Sequence, residues 1–285
     1  MKVGLLISGG LGLNALQLLA NKKDLRFVMT NKLSTEIISF CEIHKIPCFV
    51  GNPRNGVASG FLADKEVDLI FSINYLFLIE KDIINVPRLY CINIHGSLLP
   101  KYRGRTPHVW SIINNEEYTG VTAHLIDENC DTGCIIKQKK IKIDHDDTGA
   151  TILNKYEPIY LSLINELITD IESGSIQFVK QDEDKATTFG KRTPDDGLIC
   201  WNWHKERIKN WVRAQAHPYP GAFVLVDNKK VIIDKVVYSD FGFNQDMENG
   251  LVLNLNPPLI KTPNGVLELK IVREGLELLK KGMIL

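Results

Sequence analysis

The chain has 285 residues, 44% hydrophobic and 24% charged, enough for one large or two moderate domains of ordinary globular composition. Its 34 Lys and Arg are matched by 34 Asp and Glu, so no global positive field is available to gather a nucleic acid. Six cysteines form no Cys-x-x-Cys pair, and Cys130 and Cys134 lack His or Cys neighbours at zinc-site spacing; no metal is expected, and free thiols without a leader segment point to a reducing cytoplasm.

Strand-like and helix-like segments alternate from the start. Lys2 to Ile7 reads as a buried strand ended by Gly9-Gly10, far below the roughly 18 apolar residues of a membrane span. Leu11 to Ala20 reads as a helix, Leu25 to Thr30 as a strand, Thr35 to His44 as a helix capped by Ser34 or Thr35, and Ile46 to Val50 as a third strand. Val67 to Ile73 and Leu89 to Ile94 follow as strands. This β-α-β alternation implies an α/β fold, a mostly parallel Rossmann-like sheet with helices on both faces. Tyr118 to Leu125 and Cys134 to Ile143 read as further strands, and Thr148 to Ile171 as a long amphipathic helix that Pro158 should kink or divide. The polar stretch from Gln181 to Gly197 is taken as the boundary, giving domains 1–190 and 191–285. Beyond it, one helix (Lys205 to Ala216) precedes strands at 222–226, 230–238, 251–255 and 266–272, with Asp227-Asn228 as a turn. A small mostly-β module, such as a five-stranded barrel, is expected there.

The most informative run is Cys91-Ile92-Asn93-Ile94-His95-Gly96-Ser97-Leu98-Leu99-Pro100. Alternate residues of a strand share a face, so Asn93 and His95 project together from its carboxyl end, where ligands of open α/β sheets bind. An amide donor beside a titratable base suits acyl transfer. Asp131-Thr132-Gly133 lies 36 residues beyond His95. An Asp can fix an imidazole tautomer, although an ordinary turn between strands has the same appearance and spacing alone does not bring the two together. Gly10-Leu11-Gly12-Leu13-Asn14-Ala15 fits the dinucleotide fingerprint G-x-G-x-x-A and makes an NAD(P)-dependent dehydrogenase the rival reading. The acidic residue that fingerprint needs about 20 residues on is missing, since Thr30-Asn31-Lys32 stands there.

Asn93-Ile94-His95-Gly96-Ser97-Leu98-Leu99-Pro100-Lys101-Tyr102-Arg103-Gly104, with Gly120-Val121-Thr122 and Asp131-Thr132-Gly133, closely resembles the folate-dependent formyltransferase family over residues 1–180. A weaker match continues through Asp196-Gly197-Leu198-Ile199 and Trp201 to His217-Pro218-Tyr219-Pro220-Gly221-Ala222-Phe223, which resembles the small C-terminal domain of the tRNA and nucleotide-sugar branches. The resemblance implies Asn93, His95 and Asp131 as the catalytic set and 10-formyltetrahydrofolate as a released co-substrate. It implies pterin entry near Tyr75, Phe77 and Leu78 and the loop of Ile126 and Asp127, bound largely through backbone groups.

Methionyl-tRNA formyltransferases carry a basic insertion after the second strand; here that path is Asn-Lys-Leu-Ser-Thr-Glu, with one basic residue. The segment 195–285 has 12 Lys and Arg against 11 Asp and Glu, a poor match to a phosphate backbone. Arg103-Gly104-Arg105-Thr106-Pro107 with Trp110 resembles the nucleotide-sugar branch instead. Tyr102, Arg105 and Trp110 are the candidates for the nucleotide side, Arg105 because a guanidinium fork matches a diphosphate. The sequence thus points to a sugar N-formyltransferase of surface-glycan biosynthesis, acting on a dTDP- or UDP-linked amino sugar without nucleic acid or membrane partners. A homodimer is expected from the branch, and methionyl-tRNA formyltransferase is the runner-up. The base, the sugar and the amine position are not legible.

Overall fold

Apolar runs bounded by turn residues set the framework of a computed structural model that describes all 285 residues. In chain order its elements begin with β1 (Lys2–Ile7), α1 (Gly9–Ala20), β2 (Asp24–Thr30), α2 (Thr35–Ile43), β3 (Cys48–Val50), α3 (Ser59–Leu62), β4 (Val67–Ile73) and α4 (Lys81–Ile84). They continue with β5 (Pro87–His95), β6 (Arg103–Gly104), α5 (Pro107–Ile113), β7 (Tyr118–Leu125), β8 (Ile135–Lys142), α6 (Gly149–Glu172) and β9 (Thr188–Phe189). Two compact units emerge, the first made of Met1–Gly104, Gly120–Ile141 and Lys155–Thr188.

The first unit is built on a seven-stranded sheet in the order β3-β2-β1-β4-β5-β7-β8. The first five strands pair in parallel, and β7 runs antiparallel to β5. Every residue of β4 is buried, as a central parallel strand covered on both faces requires. The fold is therefore the expected mostly parallel sheet with helices. β3 starts two residues later than its apolar run, because the Ile46 N–H turns back to the Cys41 carbonyl (2.9 Å) and Pro47 has no N–H to give. The expected break in the long helix does not occur: α6 runs unbroken through Pro158. Pro158 and Asn154, whose carbonyl loses its partner, both lie on the exposed side. A buried stripe of Tyr156, Tyr160, Leu163, Ile164 and Leu167 keeps the helix together.

The second unit comprises Arg105–Thr119, Lys142–Asn154 and Phe189–Leu285. It contains α7 (Lys205–Ala214) and the strands β10 (Ala222–Val226), β11 (Lys229–Ser239), β12 (Val252–Leu255), β13 (Pro258–Thr262) and β14 (Gly265–Glu274). These form an antiparallel sheet, β10-β11-β14-β13-β12, curled into a half-barrel rather than a closed one. Asp227 and Asn228 take φ of 49° and 61°, the left-handed pair that a two-residue hairpin needs. Ile208 and Val212 of α7 seal the inner face with Ile233, Ile260 and Leu267. Two earlier segments are woven into this unit: Asn210 donates to Asn115 (2.9 Å), and Arg213 donates to the carbonyls of Asp144 (3.1 Å) and Asp147 (2.8 Å). No helix is long and apolar enough to cross a membrane.

Candidate active site

β5 ends at the carboxyl edge of the first unit's sheet and carries Asn93 and His95 there, as strand alternation requires. Its antiparallel neighbour β7 pairs His124 with Asn93 and Thr122 with His95. Thr122 and His124 are two apart on one strand, so they meet the two β5 residues from a single face. The chain leaving β7 then returns Asp131, in the left-handed region at φ 58°, to the same point.

Asn93, His95, His124 and Asp131 form a connected polar cluster. His95 Nε2 lies 2.8 Å from the Tyr102 carbonyl, and His95 Nδ1 lies 3.6 Å from Asp131 Oδ2. Asp131 Oδ2 accepts from the Gly104 N–H (2.8 Å), and Asp131 Oδ1 accepts from Asn93 Nδ2 (3.3 Å) and lies 3.4 Å from His124 Nε2. Asn93 Nδ2 is 3.1 Å from His124 Nε2, while His124 Nδ1 donates to the Leu125 carbonyl at 2.7 Å. His95 and His124 are buried, at 7% and 2% exposure.

Burial pushes the His95 imidazole below its ordinary value, opposed by the Asp131 carboxylate and the Tyr102 carbonyl. Burial pushes the Asp131 carboxyl up. Its polar neighbours, His95 first among them, outweigh it and hold the carboxyl well below the usual range. The site therefore keeps a carboxylate beside an imidazole. A proton reaching His95 Nδ1 meets a negative charge within 4 Å, while Nε2 stays committed to a carbonyl. This is the electrostatic layout of a proton shuttle.

The loops are fixed from behind. Gln181 donates to the carbonyls of Asp131 and Gly133 (2.8 Å each), and buried Arg103 donates to Gln181 Oε1 (2.8 Å from its terminal nitrogen) and to Glu183. A Cβ on Gly133 would collide with the Leu125 carbonyl, so only glycine lets the loop pass β7 so closely. Thr122 Oγ1 donates to the Ser97 carbonyl (2.6 Å) and accepts from the Leu99 N–H (3.2 Å), and Tyr156 donates to the Gly96 carbonyl (2.8 Å). These bonds pin the His95–Pro100 turn.

Among the residues expected at the folate, Tyr75 and Ile126 are half-buried and pack on the apolar cluster that includes Ile70 and Met29. Phe77 meets the Tyr75 ring edge-on at 5.5 Å, and the Tyr75 hydroxyl is buried with no protein partner. Leu78 is largely exposed. Asp127 caps its own loop, accepting from Thr132 Oγ1 (2.6 Å) and the Asn129 N–H (3.1 Å). Tyr102 has a buried side chain, and what it gives the cluster is its carbonyl. Arg105 and Trp110 belong to the second unit. Arg105 is exposed, with its N–H on the Phe189 carbonyl (3.0 Å), and the Trp110 ring is engaged by Phe189 (centroids 4.8 Å apart) and the Arg192 guanidinium (5.0 Å). The glycine run that suggested a dinucleotide lies inside α1. A Cβ on Gly12 would sit 2.9 Å from Ile7 Cβ, so this glycine serves helix–strand packing, and Asn31 at the end of β2 accepts from the Leu33 N–H. Sequence reasoning missed His124 and Gln181. Its only signal for His124 was the shared face with Thr122, which names no partner until β7 is known to run beside β5.

Residues 9–164 match the model of the formyl transferase family, and residues 191–278 match that of the formyl transferase C-terminal domain. The bifunctional polymyxin resistance protein ArnA of Wigglesworthia glossinidia brevipalpis is 37% identical over 227 residues, 79% of this chain and 34% of that protein. The chain thus spans about a third of that relative's length. Among solved structures, WlaRD, a sugar 3N-formyl transferase crystallised in the presence of dTDP and 5-N-formyl-THF, superposes with a TM-score of 0.69 at 22% identity, over 96% of this chain and 98% of its own. A 4-N formyltransferase from Francisella tularensis gives 0.69 at 22% identity, over 81% of this chain and 96% of its own. At that identity the likeness is one of fold. The family models, which together span most of both units' sequence, place this chain in the formyl transferase family.

Proposed function

We propose that this chain moves a formyl group from 10-formyltetrahydrofolate to the amine of a nucleotide-linked amino sugar. The observation that carries the reading is the Asn93–His95–Asp131 cluster at the carboxyl end of β5, an amide donor and an imidazole each within 4 Å of one carboxylate. ArnA at 37% identity and the two sugar formyltransferase folds support it. The attacking amine forms a bond to the formyl carbon, and that carbon's bond to the folate nitrogen breaks. Asn93 donates to the oxygen as negative charge develops on it, a contribution typically worth about 2.7–4 kcal/mol. His95 Nδ1 takes the proton released by the amine and delivers it to the departing nitrogen, worth roughly 10²–10⁴ in rate. Asp131 stabilises the imidazolium between those two events.

The half-buried Tyr75, Phe77 and Ile126 suit the flat face of a pterin. Leu78 and Asp127 flank it. Arg105 is assigned to the diphosphate, and Trp110, already engaged by Phe189 and Arg192, to the support of the segment carrying it. Tyr102 serves through its carbonyl. Six free cysteines favour the reducing cytoplasm, and the nucleotide-sugar branch favours a homodimer. A turnover screen with 10-formyltetrahydrofolate and dTDP- and UDP-linked 3-amino and 4-amino sugars tests the reading. Formylation of at least one sugar, with none of charged initiator tRNA, is expected. Efficient, salt-sensitive formylation of methionyl-tRNA would overturn it.

A further inference from the structure

We infer that His124 is a positioning residue, which decides which end of the Asn93 amide faces the reacting carbon. This rests on the reading of Asn93 as the donor to the developing oxyanion.

His124 is almost wholly buried, and its Nδ1 lies 2.7 Å from the Leu125 carbonyl, a distance that requires a proton on Nδ1. Its Nε2 is then a bare lone pair, 3.1 Å from Asn93 Nδ2, and accepts from it. The register pairing of Asn93 with His124 across β5 and β7 makes this contact a property of the sheet rather than of a mobile loop.

Asn93 therefore has one N–H on His124 and the other directed at Asp131 Oδ1, 3.3 Å away. With the amide reversed, its carbonyl oxygen would face both the His124 lone pair and the Asp131 carboxylate, two repulsions in place of two hydrogen bonds. Both neighbours thus hold the NH₂ end inward. They differ once the reaction starts. The N–H on Asp131 makes the longer bond, and it is the one that must turn to the formyl oxygen. Asp131 is at that moment drawn to the proton arriving on His95 Nδ1. Only His124 holds the amide in place throughout.

Two polar replacements separate this role from simple packing. Glutamine can set an acceptor oxygen near the position of Nε2. Asparagine can keep a donor near the position of Nδ1 but has no atom that reaches Asn93. Steady-state kinetics with the formyl donor and the accepted sugar nucleotide are measured for His124→Gln, His124→Asn, Asn93→Ala and the double variant His124→Asn/Asn93→Ala, with folding followed by circular dichroism. His124→Asn is expected to lower kcat by about 10- to 100-fold, with KM for both substrates changed less than about threefold, because a misturned oxyanion donor costs the transition state and not the ground state. His124→Gln is expected to recover most of that loss. In the Asn93→Ala background, His124→Asn is expected to cost less than about twofold more, since a residue acting through Asn93 has nothing left to position. A multiplicative loss in the double variant, or equal damage from Gln and Asn, would overturn the inference, as would a wild-type kcat for His124→Asn. If Asn93→Ala alone kept wild-type kcat, the oxyanion assignment itself would fall and this inference with it.

Discussion

The imidazole of His95 is held by its own loop: Nε2 lies 2.8 Å from the Tyr102 carbonyl, which leaves Nδ1 as the nitrogen facing Asp131 Oδ2 at 3.6 Å. The tautomer is fixed by a backbone group, so the carboxylate is free to act by charge. Asp131→Asn should accordingly cut kcat by about 10²–10⁴ while KM changes little. The amide is nearly isosteric and can still accept from the Gly104 N–H, so folding should be retained. His95→Asn should be at least as damaging, and the pair much less than multiplicative. Single and double variants in steady-state assays check this. A near wild-type kcat for Asp131→Asn would reduce Asp131 to a turn residue.

Gly133→Ala should destabilise the fold by about 1–3 kcal/mol, the usual cost of overpacking, and should lower activity with it. The added methyl would meet the Leu125 carbonyl, which is backbone of β7 and cannot turn aside. Relief would push the loop outward and carry Asp131 from His95. Chemical denaturation together with kcat tests this, and an unchanged midpoint would show that the loop has slack.

Stability should fall as the pH drops from about 6.5 toward 4. Burial lowers the His108 imidazole to about 4, and the same cause lowers His95. The folded state favours their neutral forms, so the unfolded chain binds more protons in this window. The contribution is fully present above the unfolded value and is lost as pH falls through the folded one. For His108 it amounts to about 3 kcal/mol. Asp131, held low in the folded state, adds its loss only below the ordinary carboxylate range, near 4. Urea midpoints at pH 7.5 and 4.5 should differ less in His108→Gln, whose side chain can still meet the Tyr219 hydroxyl, the present partner of Nε2 at 2.7 Å.

A chain ending at residue 190 should be poorly folded, even though Asn93, His95, Asp131 and His124 all precede that point. α5 and the 142–154 segment belong to the unit completed by Phe189–Leu285. Cutting there removes Asn210 from Asn115, Arg213 from Asp144 and Asp147, and Tyr219 from His108. Size-exclusion chromatography and circular dichroism of 1–190 provide the check. A monomeric, cooperatively unfolding fragment would show that these segments do not depend on the later sequence.

Much of the fold was legible. The strands of the parallel sheet are short apolar runs cut by glycine, proline or charge, and β1, β4 and β5 fall where those runs fall. Failures arose where a neighbour outweighed local preference. Pro158 did not break α6, because its freed carbonyl is solvated while the buried tyrosine and leucine stripe holds the helix. β13 was not among the expected strands, and it opens on a proline. Its Pro258 sits at the strand's first position, where a missing N–H is tolerated.

Local sequence set which residue types stand at the end of β5 and on which face. A strand's two-residue period is local, so Asn93 and His95 had to share a side. It also determined the family resemblance, because the Asn93–Gly104 run and Asp131-Thr132-Gly133 are contiguous strings. What those residues do to one another came from the assembled sheet. That Asp131 faces Nδ1, that a carbonyl from Tyr102 holds Nε2, and that His124 holds Asn93 depend on β7 lying antiparallel beside β5 and on a glycine passing under the Leu125 carbonyl. Register between strands distant in sequence is set by the packing of the whole sheet, and no local period encodes it.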